Sequence, residues 1–346
     1  MQITLYNRVI CNGANMVTSL VLKAPLYLLA LAGLAALIFA VLLAFPLKRP
    51  PTLTSLHAGA LKLDHTDMPE LTRFQARDGS WLAYRLYPAT GADTGQKPAR
   101  VVILAHGSSG SSSQMNGMAK AFGAAGVTAV SPDIRGHGAS GTRGDTAYLG
   151  QIEDDLADLV AQIRLSRPQA RFALVGHSLG GGFVARIAGR PVGGEFDRLV
   201  MDAPFLGHDA PTNGEGNSRW AVADVPRTIG LVILHGLGIT IGESLPVIAY
   251  ATDPAAKSTT SSYSFRLLAD YGPGFRWAET KATLRANAAR LRLVAGADDD
   301  LMNAPAFETE IKPLGVPVTL VPGVDHMGAC YDPAALAAVV AAVKDN

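Results

Sequence analysis

The stretch GHSLG, Gly176 to Gly180, is the first place in this sequence where residue types and spacing could do chemistry. A serine hydroxyl is a weak nucleophile until a base takes its proton and donors stabilise the oxyanion that its attack creates. The GxSxG pattern meets the geometric part of that demand. It sits where a strand turns sharply into a helix, with glycines allowing neighbouring backbone to come close. Here the apolar run RFALVG (171–176) leads in and GGGFVARIA leads out. Ser178 is therefore the candidate nucleophile, and the Leu179 N–H, at the helix start, faces the developing negative charge. His177 is read as structural, its side chain pointing away from the nucleophile.

Three further stretches carry reactive side chains. ILAHGSSGSSS (103–113) ends a strand signal, where a second oxyanion donor is expected; the Ser108 N–H is the candidate, and His106 organises the loop. VAGADDDLM (294–302) crowds Asp298, Asp299 and Asp300 after an apolar run. A metal cradle there is a poor reading, because adjacent carboxylates at one strand end point different ways and no distant His or Glu cluster completes a shell. VPGVDHMG (321–328) places His326 in a glycine-containing loop after the last strand signal, within reach of Ser178 as a general base. GHGASG (136–141) formally satisfies GxGxxG, but no strand runs into it and no helix follows, so it is not a dinucleotide site. Asp133, Arg135 and His137 are instead expected to fix that turn. Walker A, HExxH and CxxC patterns are absent from the sequence, and neither cofactor nor metal is expected.

These residues need a scaffold of buried strands. VVILAH (101–106), VTAVSP (127–132), RFALVG, RLVMD (198–202), LRLVAG (291–296) and VTLVPG (318–323) are short apolar runs of that type, separated by helical stretches. One such stretch carries Ile152, Leu156, Leu159, Val160 and Ile163 on a single face. LTRFQARDGSWLAYRLYPA reads as an antiparallel edge hairpin turning at Asp78-Gly79. The alternation implies an α/β fold, a mostly parallel sheet with helices on both faces, over residues 71–346. Residues 205–285 are too long for an ordinary connection and read as an inserted helical lid. Within it, RTIGLVILHGLGITIGESLPVIAYA is apolar, but Gly230, His235, Gly236, Glu243 and Pro246 interrupt it too often for a membrane span.

The N-terminus is of another kind. From Ala24 to Phe45 there is no charged residue, a length that covers the hydrocarbon core of a bilayer. Residues 24–45 are read as a transmembrane anchor after a tail at 1–23. A cleaved signal peptide is the competitor, disfavoured by the length of the apolar run. Arg8 and Lys23 nearly balance Lys48, Arg49 and Lys62, so charge sets no orientation. Residues 46–70, with their Pro, Thr and Ser, read as a linker in which His57 and His65 are incidental. His208 and His235 belong to the insertion, where His208 has a place as a pocket-lining residue. A formal net charge of +1 without a long basic run argues against nucleic acid as a partner. Cys11 and Cys330, at opposite ends, suggest no disulfide framework. The sequence sets no oligomeric state.

Taken in order, VVILAHGSSGSS, SPDIRGHGASG, GHSLGG, the insertion, GADDDL and PGVDHMG resemble the α/β-hydrolase superfamily, in its branch of lysophospholipases, monoacylglycerol lipases and serine aminopeptidases. The resemblance spans residues 71–346 and leaves the anchor outside. It implies a Ser-His-Asp triad in the order nucleophile, acid, histidine. In that family the loop after the penultimate strand reads Gly-x-x-Asp, which puts Asp299 at the acid position, with Asp298 and Asp202 as rivals. The implied catalyst is Ser178, His326 and Asp299 with Leu179 and Ser108 N–H groups as the oxyanion hole, and it acts on a small-molecule or lipid-like ester. Together with the anchor read from residues 24–45, this implies a membrane-anchored serine hydrolase. An aminopeptidase-like amide hydrolase and a non-catalytic binding protein on the same fold are the alternatives.

Overall fold

A computed structural model describes residues 2–44, 46–90, 99–253, 259–274 and 276–345, with side chains from Lys23 onward except Asn217. Cys11, Arg8 and Phe45 lie outside what it describes at side-chain level. Two compact units emerge: Met1–Pro46 with Val225–Gly242, and Leu47–Asp224 with Glu243–Asn346.

Among the described residues the second unit holds eleven strands. These are β1 (Thr72–Gln75), β2 (Trp81–Tyr87), β3 (Arg100–Ala105), β4 (Thr128–Pro132), β5 (Arg171–His177), β6 (Phe196–Asp202), β7 (Ala221–Ala223), β8 (Pro246–Tyr250), β9 (Ser262–Ser264), β10 (Leu291–Gly296) and β11 (Val318–Val321). Eight of them form one sheet in the order β1-β2-β4-β3-β5-β6-β10-β11. The pairs β3–β4, β3–β5, β5–β6, β6–β10 and β10–β11 are parallel, and only the β1–β2 hairpin with its β2–β4 contact runs antiparallel.

Strand side chains alternate between faces, and in the central strands both faces are apolar. Val101 and Ile103 of β3 enter one core cluster, while Val102 and Leu104 enter the other. Helices cover both. On the first face lie α4 (Gln151–Ser166), through Ile152, Leu156, Leu159, Val160 and Ile163, and α5 (Leu179–Ala188), through Phe183, Val184 and Ile187. On the second lie α3 (Asn116–Ala124), through Met118 and Phe122, and α11 (Pro333–Lys344), through Val339 and Val343. The start of α11 is set locally: Asp332 accepts from the Ala334 and Ala335 N–H groups, and Pro333 occupies the first turn.

Two expectations need correction. Residues 46–70 are not a free linker. They contain a short helix, α2 (Thr54–Ala60), whose Leu56 joins the main core, and the Leu53 N–H donates to the Ala251 carbonyl at 3.3 Å. The Asn116 amide donates to the Asp64 and Thr66 carbonyls, 3.0 Å each. The polar composition hides this docking because the partners are remote in sequence. The insertion is also not helical throughout. Alongside α6 (Glu215–Trp220), α8 (Phe265–Tyr271) and α9 (Trp277–Ala286), strands β7, β8 and β9 form an antiparallel sheet. The remaining α-helix of this unit among the described residues is α10 (Ala304–Glu310).

In the first unit α1 (Gln2–Ala44) is a continuous helix that extends through the segment expected as a tail. Its part Lys23–Ala44 has a mean hydropathy of 2.7 and none of it is buried, so it is long and apolar enough to cross a membrane. Helix α7 (Val225–Gly236) belongs to the same unit. Gly230 there faces Leu42 and Phe39, and the Arg227 Nε donates to the Leu43 carbonyl at 3.2 Å. Val225, Ile229, Val232 and Ile233 of α7 stay exposed.

Candidate active site

The motif residues converge at the carboxyl ends of the parallel strands, where open α/β sheets place their ligands. Ser178 occupies the turn between β5 and α5 with φ +57° and ψ −117°. A side chain in that region carries about 1–3 kcal/mol of strain and persists only when its surroundings over-determine it. The surroundings here are specific. The Ser178 N–H donates to the Asp202 carbonyl at 2.9 Å, and its own carbonyl accepts from Phe205 at 3.0 Å and Gly182 at 3.1 Å. A Cβ on Gly180 would stand 2.6 Å from the His106 carbonyl oxygen, so no other residue lets α5 begin so close to the end of β3.

His326, after β11, brings its Nε2 to 3.0 Å from the Ser178 Oγ. Its Nδ1 lies 2.9 Å from the Asp299 Oδ2, and both side chains are buried. Burial alone lowers an imidazole's proton affinity, but the Asp299 carboxylate overrides it and holds His326 above its ordinary range. Burial would raise Asp299; His326 and the N–H groups of Met302 and Leu301 prevail and hold it low. Those two N–H groups donate to the Asp299 Oδ1 at 2.8 Å each, which orients the carboxylate before any substrate arrives. Of the neighbours, Asp298 is exposed, and Asp300 reaches the His326 N–H only at 3.4 Å.

Leu179 and Ser108 both sit beside this group. Neither backbone N–H has a hydrogen-bond partner among the described residues, so both remain available to an oxyanion. The loop carrying Ser108 is pinned from several sides. The Gly107 N–H donates to the Gln114 Oε1 at 3.0 Å, the Trp220 Nε1 donates to the Ser108 Oγ at 2.8 Å, and the Ser109 N–H donates to the Tyr263 Oη at 2.9 Å. Tyr263 in turn lies 2.7 Å from the His137 Nε2. Burial pushes His137 and His106 down, so both are neutral. With the His137 Nδ1 against backbone carbonyls, its Nε2 is the acceptor and Tyr263 the donor. His106 accepts from the Ile134 N–H at 3.2 Å and lies 2.8 Å from the Gly107 carbonyl. The GHGASG loop thus folds on itself around Asp133, which accepts from Ser112 and Ala139.

Beneath His326 lies a second histidine. His177 is fully buried, its ring centroid 4.8 Å from that of His326 and its Nδ1 3.2 Å from the Asp202 Oδ2. Burial would lower this imidazole, but the neighbouring Cys330 and Asp202 push it up to about 9. Donor atoms of His177, Asp202 and Cys330 all lie within 4.8 Å of one another, the one such group of His, Cys and acidic side chains among the described residues.

Ser178 and His326 open onto a cavity of about 440 Å³. From the insertion, Trp220, Ala251, Thr252 and Thr259 border it; His208 does not, its side chain standing 75% exposed elsewhere. His57 and His65, expected to be incidental, do border it. Trp220, Tyr263 and Gln114 are site residues without a sequence signal: Trp220 and Tyr263 reach the loop from elements far along the chain, and Gln114 folds back onto it from seven residues beyond Gly107.

Residues 96–306 match the family described as "Serine aminopeptidase, S33". A monoacylglycerol lipase of Mycolicibacterium smegmatis is 35% identical over 114 residues, 32% of this chain and 40% of the relative. The chain therefore spans less than half the length of that lipase in the match. Among solved structures, a soluble variant of the Saccharomyces cerevisiae monoglyceride lipase in complex with a substrate analog aligns with a TM-score of 0.61 at 16% identity, over 82% of this chain and 97% of the other. The Paleococcus ferrophilus monoacylglycerol lipase aligns with a TM-score of 0.51 at 18% identity, over 75% and 99%. At those identities the structural matches carry the fold.

Proposed function

This chain belongs to the serine aminopeptidase S33 family of α/β hydrolases, and on that premise we propose that it is a membrane-anchored serine hydrolase of lipid-like carboxylic esters. The observation that carries the reading is the continuous line Ser178–His326–Asp299, with spacings of 3.0 and 2.9 Å, at a cavity lined by both apolar and polar residues. In the proposed reaction the Ser178 Oγ attacks the ester carbonyl while the His326 Nε2 takes its proton. The tetrahedral oxyanion is held by the Leu179 and Ser108 N–H groups. Collapse expels the alcohol, which leaves with the proton from His326, and the Ser178 acyl-enzyme remains. Water then attacks it, giving a proton to His326, which passes it to the Ser178 Oγ as the bond to the acyl group breaks and the acid leaves.

The anchor reading rests on the exposed apolar helix over Lys23–Ala44, which is also compatible with a leader sequence. The apolar faces of α1 and α7 and the kinship to a monoacylglycerol lipase support a lipid-like substrate. A panel of p-nitrophenyl esters of increasing acyl length and aminoacyl p-nitroanilides tests the proposal. Ester turnover and fluorophosphonate labelling are expected, and Ser178→Ala is expected to remove both. Turnover of the anilides alone would favour the amide reading, and retained ester turnover in Ser178→Ala would refute the nucleophile.

A further inference from the structure

The cavity at Ser178 is bordered by chain that no hydrolase motif reaches. Residues 53–65 contribute Leu56, His57, Ala60, Leu61, Leu63 and His65 to its lining. They lie upstream of residues 96–306, the part matched by the family. They also follow directly on the apolar N-terminal helix in the chain, after residues 46–52.

This strap is built into the catalytic unit. Besides the Leu53 and Asn116 hydrogen bonds, Lys120 pairs with Asp64 at 2.9 Å and, with Thr66, holds that carboxyl down to about 2. The closest approach is at Gly59, where a Cβ would stand 2.6 Å from the Met327 Cβ. Helix α2 therefore lies directly against the residue that follows His326. The lining divides by chemistry. Ser108, Ser111, Ser113 and Gln114, from the loop after β3, are polar, whereas Leu56, Ala60, Leu61 and Leu63 of the strap, with Met327, are apolar. Leu61 is 75% exposed, an apolar side chain at the cavity left open to water. Hydrocarbon laid against it gains about fourfold in binding for each methylene buried.

We propose that residues 53–65 form the acyl-binding wall of the site, with Leu56, Leu61 and Leu63 against the hydrocarbon chain of the ester. Acyl-length preference then resides in the segment that ties the membrane helix to the catalytic unit. This assignment rests on the ester-hydrolase reading above. It makes the strap, rather than the family-matched region, the determinant of chain length.

The test is the profile of kcat/KM against acyl length, from acetate to decanoate, for the full-length protein in detergent. In the double variant Leu61→Ser/Leu63→Ser the decanoate-to-acetate ratio is expected to fall about tenfold. In Leu63→Trp, which narrows the cavity, the optimum is expected to move to shorter chains. Neither site is in the buried core, and fluorophosphonate labelling of Ser178 reports that the variants are folded. A ratio unchanged within twofold, or an equal loss on every ester, would overturn the assignment. So would an altered preference between glyceryl and p-nitrophenyl leaving groups at fixed acyl length. Wild type that neither labels nor turns over any ester is a different failure: the hydrolase reading falls, and the assignment with it.

Discussion

Two histidine–aspartate pairs lie side by side at the carboxyl ends of β5, β6, β10 and β11, with their rings 4.8 Å apart. His326–Asp299 and His177–Asp202 share residue types, burial and an Nδ1–carboxylate contact, at 2.9 and 3.2 Å. They differ in what completes them. The second nitrogen of His326 meets the Ser178 hydroxyl, and Asp299 is braced by two backbone N–H groups. The Nε2 of His177 and the Oδ1 of Asp202 find no partner among the described residues, although Cys330 stands close by. On the proposed mechanism the difference is that a His–Asp pair serves as a base through the atom its far nitrogen faces, with the carboxylate oriented by the surrounding backbone. The second pair works as packing behind the first.

The largest effect should come from breaking the first pair. His326→Gln is expected to lower kcat by about 10⁴-fold or more while thermal unfolding stays close to wild type. A loss below tenfold would mean that another base serves Ser178. Breaking the second pair should move stability more than chemistry. His177→Gln removes the partner of Asp202, a carboxyl that burial already pushes up and that can then take a proton; a loss of about 1–3 kcal/mol and a lower melting temperature are expected. Activity measured below that temperature is expected to fall less than about tenfold. A catalytic loss as deep as that of His326→Gln, with stability unchanged, would invert the comparison.

Much of this contrast is legible in the sequence, because it depends on local rules. GHSLGG after an apolar run demands the turn that seats Ser178, and the alternating apolar segments state the sheet that carries it. Asp299 stands out from Asp298 and Asp300 only through the family pattern, since three consecutive acids offer no local reason for choosing one. The backbone N–H groups of Leu301 and Met302 supply that reason in three dimensions. What stays hidden depends on long-range pairing. Strand β7 is three residues long and pairs with β8 more than twenty residues later, too short a run to carry a period. The strap reads as a linker because its turn-forming residues satisfy loop statistics, while the groups that hold it, Asn116, Lys120 and Ala251, lie far along the chain. Tyr263 is invisible for the same reason.

The most direct measurement is the pH dependence of kcat/KM in Asp299→Asn beside Asp202→Asn. A general base must be neutral to act, and the Asp299 carboxylate raises the proton affinity of His326. In wild type, activity should therefore fall on acidification through a limb above about 6.5, the ordinary imidazole value. Removing the carboxylate at 299 leaves burial, which acts in the opposite direction. The expected result for Asp299→Asn is a limb moved to lower pH together with a loss of about 10³–10⁴-fold in kcat. For Asp202→Asn a small movement of the limb and a loss below about tenfold are expected. An unmoved limb in Asp299→Asn, or a deeper loss in Asp202→Asn, would contradict the assignment of Asp299 as the acid behind His326.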